Sequence, residues 1–192
     1  VQGGFDGRSR VSDVSSSTEK IWESLLLITN TTVQMHEFDF TTMAWRQVHQ
    51  DRPPTARHSH SCVIHNDSLY ICFGYDGSYK NDVHEYSFAT HRWNAVSTVG
   101  RRPRARYRAT TVLYQDDMIV YGGHDGVRHL NDVHALNVVT QTWTMLDTAG
   151  PAPVPRDSHV SVLYQDSMYV FAGSSGAAMN DFYELHLPSA TW

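Results

Sequence analysis

A repeat of about fifty residues leaves this chain less freedom than any other feature. Trp45, Trp93, Trp143 and Trp192 stand 48, 50 and 49 residues apart. Arg57, Arg106 and Arg156 keep the same step, 49 and 50 residues apart. Gly74-Tyr75-Asp76-Gly77 returns as Gly123-His124-Asp125-Gly126 and, more loosely, as Gly173-Ser174-Ser175-Gly176. Asn81-Asp82, Asn131-Asp132 and Asn180-Asp181 stay in phase with both. Four independent markers held in register define one structural unit copied along the chain, and such units stack because none buries its apolar faces alone.

Within a unit the pattern is that of strands. After Arg156 come alternating small and apolar residues, Ser158-His159-Val160-Ser161-Val162-Leu163-Tyr164. A Gln-Asp-Ser turn leads into Met168-Tyr169-Val170-Phe171, which ends at Ala172-Gly173. After a polar loop, Asn180-Asp181 opens Phe182-Tyr183-Glu184-Leu185-His186-Leu187, and a last short strand begins at the Trp. Four short strands bounded by Gly, Asp, Asn and Pro, rich in aromatic and β-branched residues, make an all-β unit. No segment of the repeats shows the 3.6-residue periodicity of a helix.

Four strands per unit of this length, the Gly-Gly pairs at Gly3-Gly4 and Gly122-Gly123, the Asn-Asp pairs and the spaced tryptophans together resemble the kelch family, over nearly the whole chain. The resemblance implies an all-β kelch β-propeller with one four-stranded blade per repeat. Phe73 and Ala172 replace the first glycine of the pair in two repeats, which implies adjusted packing within the same fold. Each Trp supplies a large apolar area between blades and an N–H that needs a partner. The Arg of every repeat is expected to make structural hydrogen bonds between blades, because a residue present in each repeat cannot mark one site.

The resemblance implies a single kelch-repeat region over 1–192: a partial blade at 1–48, blades at 49–97 and 98–147, and a truncated blade at 148–192. Propellers close with about 4–8 blades, so three to four blades read as part of a larger propeller. The first repeat is too long. Gly126 to Leu136 spans 10 residues and Gly77 to Tyr86 spans 9, but Gly7 to Phe38 spans 31. Removing the 21 residues Val14–Gln34 restores a span of 10. Three readings of that insertion stand side by side. It is a surface loop; or a short helix, with Ser16 and Glu19 at capping-box spacing before Ile21, Trp22, Leu25 and Leu26; or an in-frame retained intron, since every Val codon starts with GT and a Gln codon can end in AG.

Composition narrows the function. Twenty acidic and 15 basic residues give a formal charge of -5, which argues against nucleic acid as a partner. No wholly apolar run approaches the roughly 20 residues of a membrane span. Two cysteines, Cys62 and Cys72, cannot make a disulfide scaffold and show no zinc-binding spacing. A two- or four-residue turn around Asn66-Asp67 would put them on opposite faces of a hairpin, and a three-residue loop on the same face. Two reduced, partly buried thiols fit a cytoplasmic chain. Of the 12 histidines, His36, His84 and His134 occupy one repeat position and His60 and His159 another, so they read as sheet residues. The copper-ligand and Glu-xxx-Asp-xxx-His patterns of kelch metalloproteins are not present. No catalytic residue, metal or cofactor is expected.

Binding is read in the loops that differ between repeats. By the kelch resemblance, loops between second and third strands share a face with the inter-blade loops. That face would gather Tyr75, Tyr79, Lys80, His124, Arg128 and His129 with Arg52, Arg101, Arg102 and Arg104. The run Arg101-Arg102-Pro103-Arg104-Ala105-Arg106-Tyr107-Arg108 is the sharpest charge feature of an acidic chain, suited to an acidic or phosphorylated segment of another protein. The expected function is protein–protein recognition. Among kelch families the phrases Tyr86-Ser87-Phe88-Ala89-Thr90-His91-Arg92-Trp93 and Phe171-Ala172-Gly173-Ser174-Ser175-Gly176 resemble the leucine-zipper-like kelch–BTB proteins, which implies substrate recognition for a cullin-3 ubiquitin ligase. The alternatives are a stand-alone cytoskeletal or trafficking scaffold and a fragment of a kelch-type metalloenzyme.

Overall fold

The computed structural model describes residues 35–192; the insertion 14–34 and the Gly3-Gly4 pair lie outside them. Every regular element among the described residues is a strand. A hairpin of β1 (Met35–Asp39) and β2 (Ala44–Val48) comes first. The next sheet holds β3 (Ser61–His65), β4 (Ser68–Cys72), β5 (Val83–Ser87) and β6 (Arg92–Ala95), antiparallel and in chain order. In the middle sheet, β7 (Val99–Gly100) runs parallel to the outermost strand β11 (Thr142–Leu146). Inward from β11 lie β10 (Val133–Asn137), β9 (Asp117–Tyr121) and β8 (Thr110–Tyr114). The last sheet holds β12 (Val160–Tyr164), β13 (Ser167–Ser174) and β14 (Ala178–His186). The architecture is all-β and consists of kelch propeller blades in succession.

Two-residue turns set the register of each blade. Asn66-Asp67, Gln115-Asp116 and Gln165-Asp166 join the first two strands, and the first residue of each turn has φ of 50°, 55° and 51°. Such left-handed turns match the twist of a hairpin. The turn decides the cysteine question. Ser61 pairs with Cys72 and Cys62 with Ile71, so the thiols lie on opposite faces, and both are free. Burial pushes the Cys62 thiol up to about 12.

Both faces of the inner strands are covered, which explains why they read as continuous apolar runs. In β4, Leu69 and Ile71 pack with Met35, Val48, Tyr86 and Trp93 toward the first hairpin. Their neighbours Tyr70 and Cys72 turn the other way, onto Met118, Val120, Leu136 and Trp143 of the middle sheet. The middle sheet repeats the device: Ile119 and Tyr121 pack on Met168, Val170 and Leu185. Phe73 closes the Gly-Gly problem. It takes φ of 64° where Gly122 has 65° and Ala172 has 60°, so one backbone shape serves all three repeats. The Phe73 ring is wholly buried and sits 6.1 Å from that of Trp143.

First strands of neighbouring blades lie against one another along the inner side. Arg108 N–H donates to Ser59 O (2.9 Å), and Ser158 N–H to Arg108 O (3.1 Å). Hydroxyls add to this seam: Ser61 Oγ donates to Ala109 O (2.5 Å) and Thr111 Oγ1 to Cys62 O (3.1 Å).

Candidate functional site

The loop end of each blade is built on the repeated arginine. The guanidiniums of Arg57, Arg106 and Arg156 are at most 1% exposed. Arg106 forks onto Asp132 (2.6 and 2.8 Å) and donates to Gly122 O (2.9 Å). Arg57 does the same with Asp82 and Phe73 O, and Arg156 with Asp181 and Ala172 O. These side-chain bonds stay inside one blade, which corrects the expectation of inter-blade bonding. The reason is reach: the Asn-Asp pair closes the loop between second and third strands of the same sheet, directly beneath the arginine. The inter-blade bonds come from the arginine backbone. Arg106 N–H donates to Lys80 O (3.0 Å), and its carbonyl accepts from Gly74 N–H (2.9 Å).

Histidines complete this arrangement. His84 Nε2 lies 2.9 Å from Asp82 Oδ2 and His134 Nε2 2.8 Å from Asp132 Oδ2. Burial raises the carboxyls of Asp82 and Asp132, but hydrogen bonds from the arginine and histidine outweigh it and hold both well below the usual range. Among the described residues, no group of three or more His, Cys, Asp or Glu side chains could hold a metal ion.

Above these rigid bases the loops present a row of rings. His58 and Tyr75 are 5.7 Å apart between centroids, Tyr75 and Tyr79 5.1 Å, Tyr79 and Tyr107 5.3 Å. The row continues from Tyr107 to His124 (6.0 Å) and His129 (4.9 Å). Tyr79 crosses from one blade to the next because Gly126 lies under it: a Cβ there would stand 2.5 Å from the Tyr79 ring. The row ends at Asp157, 3.3 Å from His129 Nε2 and 3.8 Å from Arg108 Nη1. Arg108 also lies over the Tyr107 ring at 4.6 Å.

The charges of this face are layered. Asp76, Asp125 and Asp157 keep side-chain exposures of 10%, 9% and 6%, whereas their partners Lys80, Arg104 and Arg108 keep 25%, 68% and 31%. Burial raises the Asp76 carboxyl, and bonds from Lys80 (2.8 Å), Thr55 and Ser78 outweigh it, bringing it down to about 2. Asp125 is held down despite burial by the backbone N–H groups of Arg128 and Val127, both 2.9 Å away. Cationic heads therefore stand outermost over satisfied carboxylates. Arg104 is 3.8 Å from Asp125, and Arg128 is exposed.

Seven of the ten sequence-predicted residues fall in this cluster: Tyr75, Tyr79, Lys80, Arg104, His124, Arg128 and His129. Arg52, Arg101 and Arg102 do not. They flank the first residues of the outermost strands, where Asp51 bridges Arg92 and Val99-Gly100 pair with Thr142-Trp143. Within β11 those residues pair with Asn137 and Leu136, the end of β10 away from the Gly122–Asp132 loop. The chain between blades first runs along the outer edge and only then, from Arg104 on, reaches the loop end. Sequence reasoning left out His58 and Asp157, and it named Tyr107 and Arg108 only as part of the basic run. The missed signal was variation directly after the repeated arginine, where His58, Tyr107 and Asp157 share one position.

Comparison with known proteins agrees with this geometry. The family model of the KLHDC2/KLHL20/DRC7 Kelch-repeats domain matches residues 28–192. A leucine-zipper-like transcriptional regulator 1 homolog of Drosophila melanogaster is 34% identical over 82 residues, 38% of this chain and 8% of that protein. Kelch domain-containing protein 10 of Homo sapiens is 33% identical over 85 residues, 38% of this chain and 19% of that protein. Ras guanine nucleotide exchange factor F of Dictyostelium discoideum is 33% identical over 85 residues, covering 43% and 8%. The matches span less than a quarter of the length of these relatives. With the repeat, the blades and the family match in agreement, the chain belongs to the kelch-repeat domain family.

Proposed function

We propose that these blades are a protein-recognition surface and that the partner docks on the ring row between Tyr75 and His129. One observation carries the reading: six rings form a continuous row across two blades, with the exposed Arg104 guanidinium and the half-buried Lys80 ammonium over buried carboxylates. Tyr and Arg anchors of this kind dominate protein interfaces. The partner segment is acidic or phosphorylated, since charge-assisted bonds to Arg104 and Arg128 need an oxyanion. In its specific form, we read the chain as the substrate-selecting part of a cullin-3 ubiquitin ligase adaptor, the role implied by its resemblance to the leucine-zipper-like kelch proteins.

The test is quantitative affinity capture with the full-length protein, wild type against the pair Tyr79→Ala and Arg104→Ala. Arg104 is exposed and Tyr79 half-buried, so circular dichroism checks that the variant keeps its fold. Specific partners should fall about tenfold, equivalent to about 1.4 kcal/mol, and phosphatase or acidic-peptide competition should mimic the loss. Partners retained in full by the folded variant would sink the docking site. Cullin 3 absent from every capture would sink the adaptor role alone.

A further inference from the structure

Trp93, Trp143 and Trp192, at one position of successive repeats, do not end alike. Trp93 Nε1 donates to Gln50 Oε1 (2.8 Å), and Trp192 Nε1 donates to Thr148 Oγ1 (3.2 Å). Trp143 Nε1 is buried without a partner. The residue that should serve it is present. Backbone bonds put Gln50, Thr98 and Thr148 in one repeat position: the next residue donates to His91 O (2.8 Å), Gln141 O (2.9 Å) or Ala190 O (2.9 Å). Thr98, however, is engaged by another group. Arg102 Nη2 donates to Thr98 Oγ1 (2.8 Å) and to Thr98 O (3.1 Å).

The chain contains its own control. Arg102 and Ala152 are equivalent, each donating its backbone N–H to the glycine two residues before it, Gly100 and Gly150, at 3.0 Å. Where the position is Ala, the threonine serves the indole. Where it is Arg, the threonine serves the guanidinium, and a buried donor is left unmet. A buried N–H without an acceptor is costly, whereas the bonds that Arg102 makes to Thr98 are exposed and to neutral oxygens. An oxyanion offers a guanidinium stronger, charge-assisted bonds, often two in parallel. Arg101 beside it is exposed and makes no side-chain hydrogen bond or ion pair among the described residues.

We propose that the outer-edge loop Thr98–Arg102 is an oxyanion-responsive latch: an oxyanion that captures Arg102 frees Thr98 to accept from the Trp143 indole. Binding at the outer edge then closes a hydrogen bond inside the blade. The two arrangements of Thr98 exclude each other, because its Oγ1 turned to Arg102 at 2.8 Å leaves the indole unmet, and an anion favours the second arrangement to the extent that it binds the guanidinium more tightly once drawn off Thr98. The latch is separate from the ring row and does not depend on the partner proposed for it.

The experiment is ¹⁵N–¹H spectroscopy of the tryptophan indoles in the full chain, with Trp143 assigned by Trp143→Phe. Arg102→Ala, which recreates the Ala152 situation, should move the Trp143 indole proton downfield, as a new hydrogen bond requires. Arg102→Ala combined with Thr98→Val should abolish that move. In the wild type, inorganic phosphate or acetate should reproduce the move in a saturable way, and Arg102→Ala should no longer respond. Sodium chloride at matched ionic strength should leave the resonance in place. An unmoved Trp143 resonance in Arg102→Ala overturns the latch. So does a wild-type response to neither anion, or one that chloride reproduces.

Discussion

His60 and His159 occupy one repeat position and are buried where a charge is unwelcome. Burial first, and then the neighbouring charge of Arg57 or Arg156, lowers each imidazole to about 4. An unfolded histidine titrates near 6.5. Between those values the unfolded chain binds more protons, so stability rises with pH. The contribution is complete above about 6.5 and is lost as pH falls toward about 4, on the order of 3 kcal/mol for each residue. The depressed carboxyls of Asp76, Asp82 and Asp132 act only below about 4, so the two effects occupy different windows. Ala109 fills the equivalent position in the middle blade and is buried there, which makes alanine a fitting replacement. Urea unfolding between about pH 4.5 and 7.5 should show a steep decline in the wild type and a flatter one in His60→Ala/His159→Ala. Equal slopes would show that the histidines are not the cause.

Among the elements, the loop between second and third strands owes its shape to one arginine–aspartate fork per blade. Arg106→Lys removes the two-point contact with Asp132, and the shorter ammonium cannot also meet Gly122 O. We expect a loss of about 3 kcal/mol in chemical denaturation, against less than about 0.5 kcal/mol for the exposed Arg104→Ala. Similar losses for both would mean that the fork does not organise the loop. Both members of the fork were visible in the sequence as in-phase markers. Their partnership was not, because a distance of 26 residues says nothing about direction until the loop is closed. The strands were legible because apolar patterning, Gly and Asn-Asp recur with the repeat. The ring row was half legible. Tyr75, Tyr79, His124 and His129 stand in loops that vary, but Tyr107 and Arg108 looked like the tail of a basic run. Arg52, Arg101 and Arg102 misled in the opposite sense: sequence proximity to Arg104 hid the turn that carries the chain from the outer edge to the loop end. Thr98 and Trp143 gave no sign of their mismatch, since both repeats that include a threonine there read the same.

At the scale of the molecule, the blades are unequal in what covers them. The middle sheet is packed on both faces, with Met118, Val120 and Tyr121 fully buried. The last sheet is packed on one. Val162 and Phe182 are 60% and 65% exposed on its far side, where the equivalent Val112 of the middle sheet is buried. Nearest-neighbour packing of this kind makes stability a sum of blade and seam contributions, and it ties opening to how well each sheet is covered. Amide protons should therefore record a gradient in time. In deuterated water, the β9 amides between Met118 and Tyr121 should be the last to be lost, with lifetimes that approach those set by global unfolding. Uniform exchange across the three sheets would mean that they open as one body. With the expected order, the most long-lived part of the chain lies directly beneath Tyr107 and His124, and a docking partner would rest on the blade that opens least often.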